Sequence, residues 1–346
     1  ICCKLSFMIN MYKGNIDMNM KRDYTIHSFT EYIEVLKEIQ SLEKTELWYR
    51  GQRLSTRHLD PTLYRGDVCY ETDDGHGFTI DPMPKTFKFK GQTVRFPDQY
   101  KMLTEFKKEI TRKNLNPSPN MNEIEWLCFA QHCGMPTSLL DWSEDPLVGL
   151  HFAICNINLP IKDEEKKEEA IVFVLNPYVS NSNCTIWGKD KQEDGKYATY
   201  SSMPIKDDEE NNQDITYPIP ITDTNYESFV DYSISHISTP VCIKPRKLGY
   251  RMCRQSGDFL LYSTNIKPLD MYPENAINKF LYRIHIPYTN VQELMKDLKA
   301  LNVTKESIYG DCPDLDDAGK KAKEVGKEQI DEIVKEIIKK HKNIKE

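Results

Sequence analysis

One run of twelve residues near the middle of the chain constrains the fold more than any other feature. It reads QHCGMPTSLLDW and extends from Gln131 to Trp142. Ile124 and Leu127 lie at helical spacing ahead of it, which predicts a helix that enters the run. Gly134 is placed to end that helix, because glycine adopts a left-handed backbone at the lowest cost.

A second helix is predicted directly after the run. Asp145 is typical of an N-cap, and Pro146 suits the first helical position. Leu147, Leu150 and Ile154 then fall on one stripe. The run is therefore predicted to be a tight corner between two helices, a place where rigid elements often hold functional groups. The polar members of this corner are Gln131, His132, Thr137 and Asp141. The alternative is that these side chains only satisfy buried backbone groups of the turn.

The composition favours a folded chain of one or two domains. Of the 346 residues, 39% are hydrophobic and 29% are charged, which is enough to build a core and argues against wholesale disorder. A net charge of −7 argues against a globally basic nucleic-acid binder. No stretch of about 18 apolar residues is present, so no membrane span is predicted.

The ten cysteines are scattered along the chain and contain no CxxC pair. A ribbon-type zinc site therefore has no support, and no metal is predicted. Cys155 and Cys242 lie in apolar contexts, which is typical of buried free thiols in a reducing compartment. We therefore expect a cytoplasmic protein.

The remaining elements alternate without an internal repeat. Ser28 and Glu31 form a capping box that begins a helix. Residues 46–52 are strand-like, and Gly51 either ends the strand or marks a close backbone approach. Residues 170–175 are typical of a buried strand. The order of helix, strand, helices, mainly strands and a final helix predicts an α+β fold, with a mixed or antiparallel sheet flanked by helices and a helical C-terminal tail.

The predicted organisation is a single domain with two insertions. Residues 1–25 are expected to be disordered or a leader segment, and residues 26–318 to form the α+β domain. Exposed insertions are predicted near 66–100, interpreted as a long loop, and near 180–216. Residues 319–346 are predicted to form a charged amphipathic helix that offers a surface to a protein partner.

Four blocks of the sequence resemble the FRG domain family, which is named after its (F/Y)RG motif. The blocks are Trp48-Tyr49-Arg50-Gly51-Gln52, the run from Gln131 to Trp142 followed by Pro146, Leu150, Phe152 and Ala153, then Gln255-x-Gly257-x-Phe259, and finally Ser307 to Asp316. Order and spacing agree from about residue 28 to residue 325. Cys133 departs from the family's pattern, because an aromatic residue is usual there. The resemblance implies kinship with mostly uncharacterised proteins of bacteria and their viruses, and it brings no agreed set of catalytic residues.

The first block is also similar to the opening motif of arginine-type ADP-ribosyltransferases, in which an arginine at a strand end grips the phosphates of NAD. The guanidinium of Arg50 suits phosphate because it is always charged and donates two parallel hydrogen bonds. Arg65 and His132 are placed to add donors, and Trp142 to stack on a nicotinamide or adenine ring. The transferase pattern also needs a late glutamate near Gln255, and the sequence has none there.

The hypothesis is that the polar residues of the blocks converge in one pocket that binds a nucleotide-like phosphorylated ligand, with NAD as the candidate cofactor. The predicted ligand-binding residues are Tyr49, Arg50, Gly51, Gln52, Arg65, Gln131, His132, Thr137, Asp141, Trp142 and Gln255. His132 and Asp141 are the catalytic candidates if the protein is an ADP-ribosyltransferase-like or NAD-hydrolysing enzyme. The alternative is a non-catalytic binding or signalling module of a bacterial or phage defence or toxin system.

Structural roles remain open for the same residues. Arg50 and Asp141 are expected to form a buried ion pair if their role is to lock the strand to the corner. His132 would then bond the last carbonyls of its helix, Trp142 would be plain core, and Gln255 would pair with an orphan backbone group.

Overall fold

An eight-stranded mixed sheet forms the centre of the molecule. The computed structural model describes residues 21–65, 67–72, 78–82, 92–95, 97–115, 121–182, 205–206, 240–245, 254–255, 257–262, 267–309 and 313–343. The strands of the large sheet are β1 (Asp23–Thr25), β2 (Trp48–Gln52), β6 (Leu139–Ser143), β7 (Glu169–Leu175), β8 (Ile205–Lys206), β9 (Val241–Lys244), β10 (Gly257–Leu261) and β11 (Leu281–Pro287). Their order is β1-β11-β7-β2-β6-β10-β9-β8. The two outermost pairs are parallel and all the others are antiparallel, so the predicted α+β class with a mixed sheet is confirmed.

Helices accompany this sheet in nine described segments. They are α1 (Phe29–Glu43), α2 (Gln99–Arg112), α3 (Glu123–His132), α4 (Pro146–Ile154), α5 (Pro177–Ser182), α6 (Glu274–Ile277), α7 (Val291–Ala300), α8 (Lys305–Tyr309) and α9 (Pro313–Asn343). None of the helices in the described ranges is both long and apolar enough to cross a membrane.

Both faces of the large sheet are buried, because side chains of a strand point alternately to either side. In β7, Phe173 and Leu175 join a core cluster with residues of α2 and α3. Val172 and Val174 join a second cluster with residues of α1, α4 and α7. The central strands are therefore covered on both faces, and a polar side chain on them needs a specific partner.

The corner predicted between two helices contains a strand, so this part of the prediction is wrong. Strand β6 occupies the second half of the run and pairs with β2 on one side and β10 on the other. The flanking signals are confirmed, since Gly134 follows the end of α3 with φ of +92° and the Asp145 side chain caps α4. A five-residue strand is fixed by distant partners, and its local sequence resembles a turn with apolar anchors.

The insertion predicted near residues 66–100 is not one long loop. It contains β3 (Asp67–Thr72), β4 (Phe78–Pro82) and β5 (Gln92–Arg95), which form an antiparallel sheet in the order β4-β3-β5. Such short strands show too few alternations to be recognised among glycines, prolines and aspartates. Most of the insertion near 180–216 lies outside the described residues, apart from β8 and residues 180–182 at the end of a helix, of which Ser180 and Asn181 are buried and not exposed as predicted. Residues 1–20 also lie outside them, and β1 lies within the stretch assigned to a leader.

The C-terminal helix is confirmed, and its first half packs on α2. Ala318 and Ala322 are buried in the core cluster that contains α2 and α3 residues. Lys321 Nζ lies 2.5 Å from Glu109 Oε1, and the Asp98 N–H donates to Gln329 Oε1 at 2.5 Å. The later residue of α9 therefore contacts the start of α2 and the earlier one contacts its second half, so the two helices run antiparallel.

Strand β2 and helix α4 approach each other closely at two glycines. A Cβ atom added at Gly51 would lie 2.1 Å from Gly149 O and 2.2 Å from Ala153 N. A Cβ added at Gly149 would lie 2.7 Å from the Cβ of Tyr49. Gly51 therefore marks the close approach and does not end the strand, since β2 continues to Gln52.

We expect Gly51→Ala to destabilise the protein by roughly 3 kcal/mol or more, because the methyl group meets backbone atoms that have no rotamer with which to move away. Chemical denaturation would measure the change. Gly134→Ala is the control, since its added Cβ has open space and only the left-handed backbone penalty of about 1–2 kcal/mol applies. Equal losses in the two variants would show that steric contact at Gly51 is not what the strand requires.

His285 links three strands through carboxylates. Its Nδ1 lies 3.1 Å from Glu169 Oε2 and its Nε2 lies 3.7 Å from Asp23 Oδ1. The Asp23 carboxylate raises the pKa of His285, burial opposes that rise, and Glu169 adds to it. The charged imidazolium thus contributes stability below the ordinary histidine pKa of about 6.5, and this contribution is lost as pH rises through the elevated value.

We therefore expect the melting temperature of His285→Gln to fall less than that of the unaltered protein when pH rises from below the ordinary histidine pKa of about 6.5 into the mildly alkaline range, because the raised pKa of His285 lies above that ordinary value. Thermal unfolding at a series of pH values measures this. His27→Gln is the control, because His27 lies in an exposed loop where Nδ1 is 3.4 Å from the neutral Asn290 side chain. Parallel pH profiles for the unaltered protein and His285→Gln would contradict the assignment.

Candidate functional site

The second and third sequence blocks meet the first at one cavity of about 290 Å³. Strand β6 lies between β2 and β10, and helix α3 ends beside them. The lining residues are Tyr49, Arg50, Gly51, Gln131, His132, Asp141, Trp142, Ser143, Phe152, Gln255 and Gly257. The sheet register explains the meeting, because Ser143 pairs with Tyr49 on one side and with Gly257 on the other.

Arg50 is the central charged group of the lining. Its side chain is 14% exposed, and Nη1 donates to the backbone carbonyl of Asp141 at 2.5 Å. The distance from Nη1 to Asp141 Oδ2 is 3.9 Å, so the expected ion pair exists only as a long contact. No described residue bonds the buried Nε of Arg50.

The pKa of Arg50 is lowered to about 10, mainly by burial and also by the nearby charge of Arg65, while Asp141 acts in the opposite direction. The guanidinium remains charged at neutral pH. The lowered pKa reflects a cation whose surroundings compensate its desolvation only in part.

A chain of hydrogen bonds fixes the Asp141 carboxylate. The Leu139 N–H donates to Thr137 Oγ1 at 3.1 Å, and that hydroxyl donates to Gln131 Oε1 at 2.5 Å. The amide of Gln131 then donates through Nε2 to Asp141 Oδ2 at 3.1 Å and to Leu139 O at 3.3 Å. Thr137 is fully buried, whereas the Asp141 side chain is 46% exposed. Asp141 thus presents a held carboxylate to the cavity.

Aromatic groups form the apolar part of the lining. Tyr49 and Trp142 are 6% and 2% exposed, and Phe152 comes from α4. Burial raises the pKa of Tyr49 to about 12, with Asp145 adding to the effect, so its hydroxyl stays protonated. No described residue accepts a hydrogen bond from the buried Nε1 of Trp142. Plain core packing is therefore an incomplete account of Trp142.

His132 is the last residue of α3 and closes the cavity beside β10. Its ring meets the Phe259 ring edge-on, with centroids 5.6 Å apart and planes at 77°. Phe259 pairs with Asp141 across the sheet, so the imidazole and the carboxylate lie on neighbouring parts of the lining.

Three of the predicted ligand-binding residues do not line the cavity. Gln52 is buried and donates to His58 O at 3.3 Å, and Thr137 acts through Gln131. Arg65 bonds Asp60 through Nε at 3.0 Å and Nη2 to its carbonyl at 2.6 Å. Its charge still reaches Arg50, as the lowered pKa of that residue shows.

Ser143, Phe152 and Gly257 line the cavity although the sequence analysis did not place them there. Ser143 Oγ donates to Gln255 O at 2.7 Å and accepts from the Asp145 N–H at 3.0 Å, which joins β10 to the start of α4. Phe152 and Gly257 stand within the blocks that carry the family resemblance, which was the available signal for them. Ser143 follows directly after Trp142 and gave no separate signal.

Outside the cavity, a cluster of three carboxylates surrounds the ammonium group of Lys244. Glu46, Glu144 and Asp258 bring oxygen atoms within 4.8 Å of one another. The ammonium of Lys244 lies 2.6 Å from Glu46, bonds Glu144, and is 4.0 Å from Asp258. These carboxylates raise the pKa of Lys244 against the effect of its burial. The cluster is thus a lysine-centred ionic network.

The chain is an α+β protein in which a buried arginine, a carboxylate held by hydrogen bonds and aromatic rings surround a small cleft. Residues 45–160 match the FRG domain family, and this stretch supplies nine of the eleven lining residues. The resemblance to the FRG domain is therefore confirmed over residues 45–160, and Gln255 and Gly257 reach the cavity from outside the matched stretch. No curated protein and no solved structure matches the chain.

The two buried tryptophans of the large sheet offer a matched comparison. Trp48 Nε1 donates to Glu46 Oε1 at 2.7 Å, whereas Nε1 of Trp142 has no acceptor among the described residues. Phenylalanine removes the same volume at either position. We expect Trp48→Phe to cost about 1–2 kcal/mol more than Trp142→Phe in chemical denaturation, because a hydrogen bond to a charged acceptor is lost only there. Equal losses would show that Trp142 Nε1 also has a stabilising acceptor.

Proposed function

We propose that the cavity binds a small phosphorylated, nucleotide-like molecule, with Arg50 contacting its phosphate. The observation that carries this proposal is the state of the Arg50 guanidinium. It lines the cavity, is almost buried, lies 3.9 Å from the nearest Asp141 carboxylate oxygen and has a buried Nε that no described residue bonds.

A cation in this state favours an anionic ligand. Burying a charge costs free energy unless an opposite charge and hydrogen bonds compensate it. Asp141 Oδ2 accepts a hydrogen bond from Gln131 and lies 3.9 Å from Arg50, so this carboxylate compensates the buried Arg50 charge only weakly. A phosphate group presents pairs of oxygen atoms that the planar guanidinium can bind with two parallel hydrogen bonds.

The aromatic residues support a ring in the same ligand. Tyr49, Trp142 and Phe152 share the cavity with Arg50, and stacking on aromatic rings is a general way to hold a flat heterocycle. The cavity of about 290 Å³ is just below the roughly 300–1,000 Å³ usual for small-molecule sites. It suits a mononucleotide-sized part of NAD, with the rest of the dinucleotide outside.

Two outcomes follow binding in this proposal. In the first, His132 and Asp141 act on the ligand, as in an ADP-ribosyltransferase-like or NAD-hydrolysing enzyme. Support comes from their shared place in the lining, where Asp141 is the one carboxylate among the described lining residues. In the second, the domain binds without turnover and serves as a signalling module of a bacterial or phage defence or toxin system.

The proposal includes a protein partner for the distal part of α9 and a reducing, cytoplasmic setting. Gln329 contacts Asp98 at the start of α2, so residues 330–343 continue past that helix. Cys128, Cys133, Cys155 and Cys242 are free thiols, which supports the reducing setting.

Arg50→Lys tests the role of the guanidinium, because it keeps the charge and removes the planar fork. The unaltered protein is screened by thermal shift against inorganic phosphate, nucleoside mono- and diphosphates, ADP-ribose and NAD. At least one nucleotide is expected to stabilise it. A ligand at about one hundred times its Kd adds about 2.7 kcal/mol. Arg50→Lys is expected to melt slightly lower without ligand and to bind at least tenfold more weakly in titration calorimetry.

Arg283→Lys is the matched control for this substitution. Arg283 lies on β11 in the same sheet with a side chain 17% exposed and a loose ion pair of 3.8 Å to Asp23. It should retain the unaltered affinity. No stabilisation by any phosphorylated compound would refute the proposal, and nicotinamide release from NAD separates the enzymatic outcome from the binding module.

A further inference from the structure

The cavity presents two opposite charges, and a ligand has to satisfy both. Arg50 supplies a cation and Asp141 a carboxylate within the same 290 Å³. A simple anion fits the first and is repelled by the second. The ligand must therefore carry a hydrogen-bond donor close to its phosphate.

The Asp141 carboxylate is available for such a donor. Its side chain is 46% exposed, and the described residues give it one hydrogen bond, from Gln131 Nε2 to Oδ2. The Arg50 contact at 3.9 Å is too long for a hydrogen bond. Oδ1 consequently keeps its full acceptor capacity towards the described residues, and carboxylate oxygens accept well from hydroxyl groups.

The orientation of Gln131 follows from its neighbours and fixes which oxygen is engaged. Thr137 Oγ1 accepts from the Leu139 N–H, so its single proton goes to Gln131 Oε1. The Gln131 amide group must then turn its NH₂ towards Asp141. Gln131 and Thr137 are thus positioning residues that hold the carboxylate with Oδ2 bound and Oδ1 open.

We propose that Asp141 accepts hydrogen bonds from the ribose hydroxyls of the ligand, so that the site selects ribonucleotides over 2′-deoxyribonucleotides. This inference rests on the proposed nucleotide binding and extends it to the sugar. A vicinal diol offers two neutral donors on adjacent carbons, which a carboxylate binds, and acidic residues hold ribose in this way in other folds. Arg50 then takes the phosphate, and the aromatic residues take the base.

The test measures the affinity of the full chain for the four ribonucleoside 5′-monophosphates and their 2′-deoxy counterparts by titration calorimetry. We expect the preferred ribonucleotide to bind at least tenfold more tightly than its deoxy form. In Asp141→Asn, the asparagine oxygen takes the Oδ2 position and still accepts from Gln131, while the NH₂ group replaces the open acceptor Oδ1. The preference should then fall to within about threefold, a range of under 1 kcal/mol.

Thr137 provides a control that separates positioning from folding. Thr137→Ser keeps the hydroxyl and should keep the preference for ribose, whereas Thr137→Val removes the group that orients Gln131 and should reduce it. The ratio of the two affinities is the readout, so a uniform loss of stability does not imitate the effect.

The outcomes distinguish the inference from the proposal beneath it. Equal affinity for a ribonucleotide and its deoxy form overturns the ribose assignment and leaves nucleotide binding intact. A preference that survives in Asp141→Asn also overturns it. The absence of binding by these monophosphates and also by the nucleoside diphosphates, ADP-ribose and NAD refutes the proposed function and the inference together.

Discussion

The contact between β2 and α4 is the constraint on which the site depends. Gly51 and Gly149 let the backbones meet where added Cβ atoms would lie 2.1 Å and 2.7 Å from atoms across the contact. This approach places Arg50 in the central strand and Phe152 on the facing helix at the edge of one cavity. Packing therefore requires glycine at position 51, and the close contact that Gly51 allows determines where Arg50 lies. A side chain at Gly51 would separate the strand from the helix before it affected any ligand directly.

Arg50 and Asp141, beside this contact, are charged groups that form only a weak ion pair with each other. Arg50 bonds the carbonyl of Asp141 and stands apart from its carboxylate. A buried carboxylate–arginine pair with ideal geometry would be nearly self-sufficient, and replacing it by apolar residues is often neutral or stabilising. The observed arrangement instead leaves both charges incompletely matched, while Thr137 and Gln131 hold the carboxylate still. That combination costs stability in the isolated protein, and a ligand with a phosphate and hydroxyl groups would recover it.

Local signals in the sequence predicted the helix boundaries around the site, whereas the strand between them depends on distant partners. Gly134 marks the end of α3 and Asp145 the start of α4, because a left-handed residue or a cap acts on the backbone next to it. Leu139 to Ser143 form a strand only because β2 and β10 flank them, which no local pattern encodes. The motif residues predicted to line a pocket mostly do line one, and their role in binding stays a prediction. The backbone carbonyl as the partner of Arg50 could not be foreseen, since it follows from strand register.

The C-terminal helix supports the α3 side of the cavity from outside its lining. A Cβ atom at Gly319 would lie 1.7 Å from Cys133 O, so α9 rests directly on the residue that follows His132. Cys133 is also the C-cap of α3, whose carbonyl end is therefore covered by helix rather than by solvent. Antiparallel packing on α2 and the bond from Lys321 to Glu109 hold α9 at this point. The position of His132 thus depends on an element more than 180 residues away in sequence, since 319 − 132 is 187. Because His132 and Asp141 both belong to the run between α3 and α4, the packing of α9 and the register of β6 together set the geometry of the polar half of the cavity.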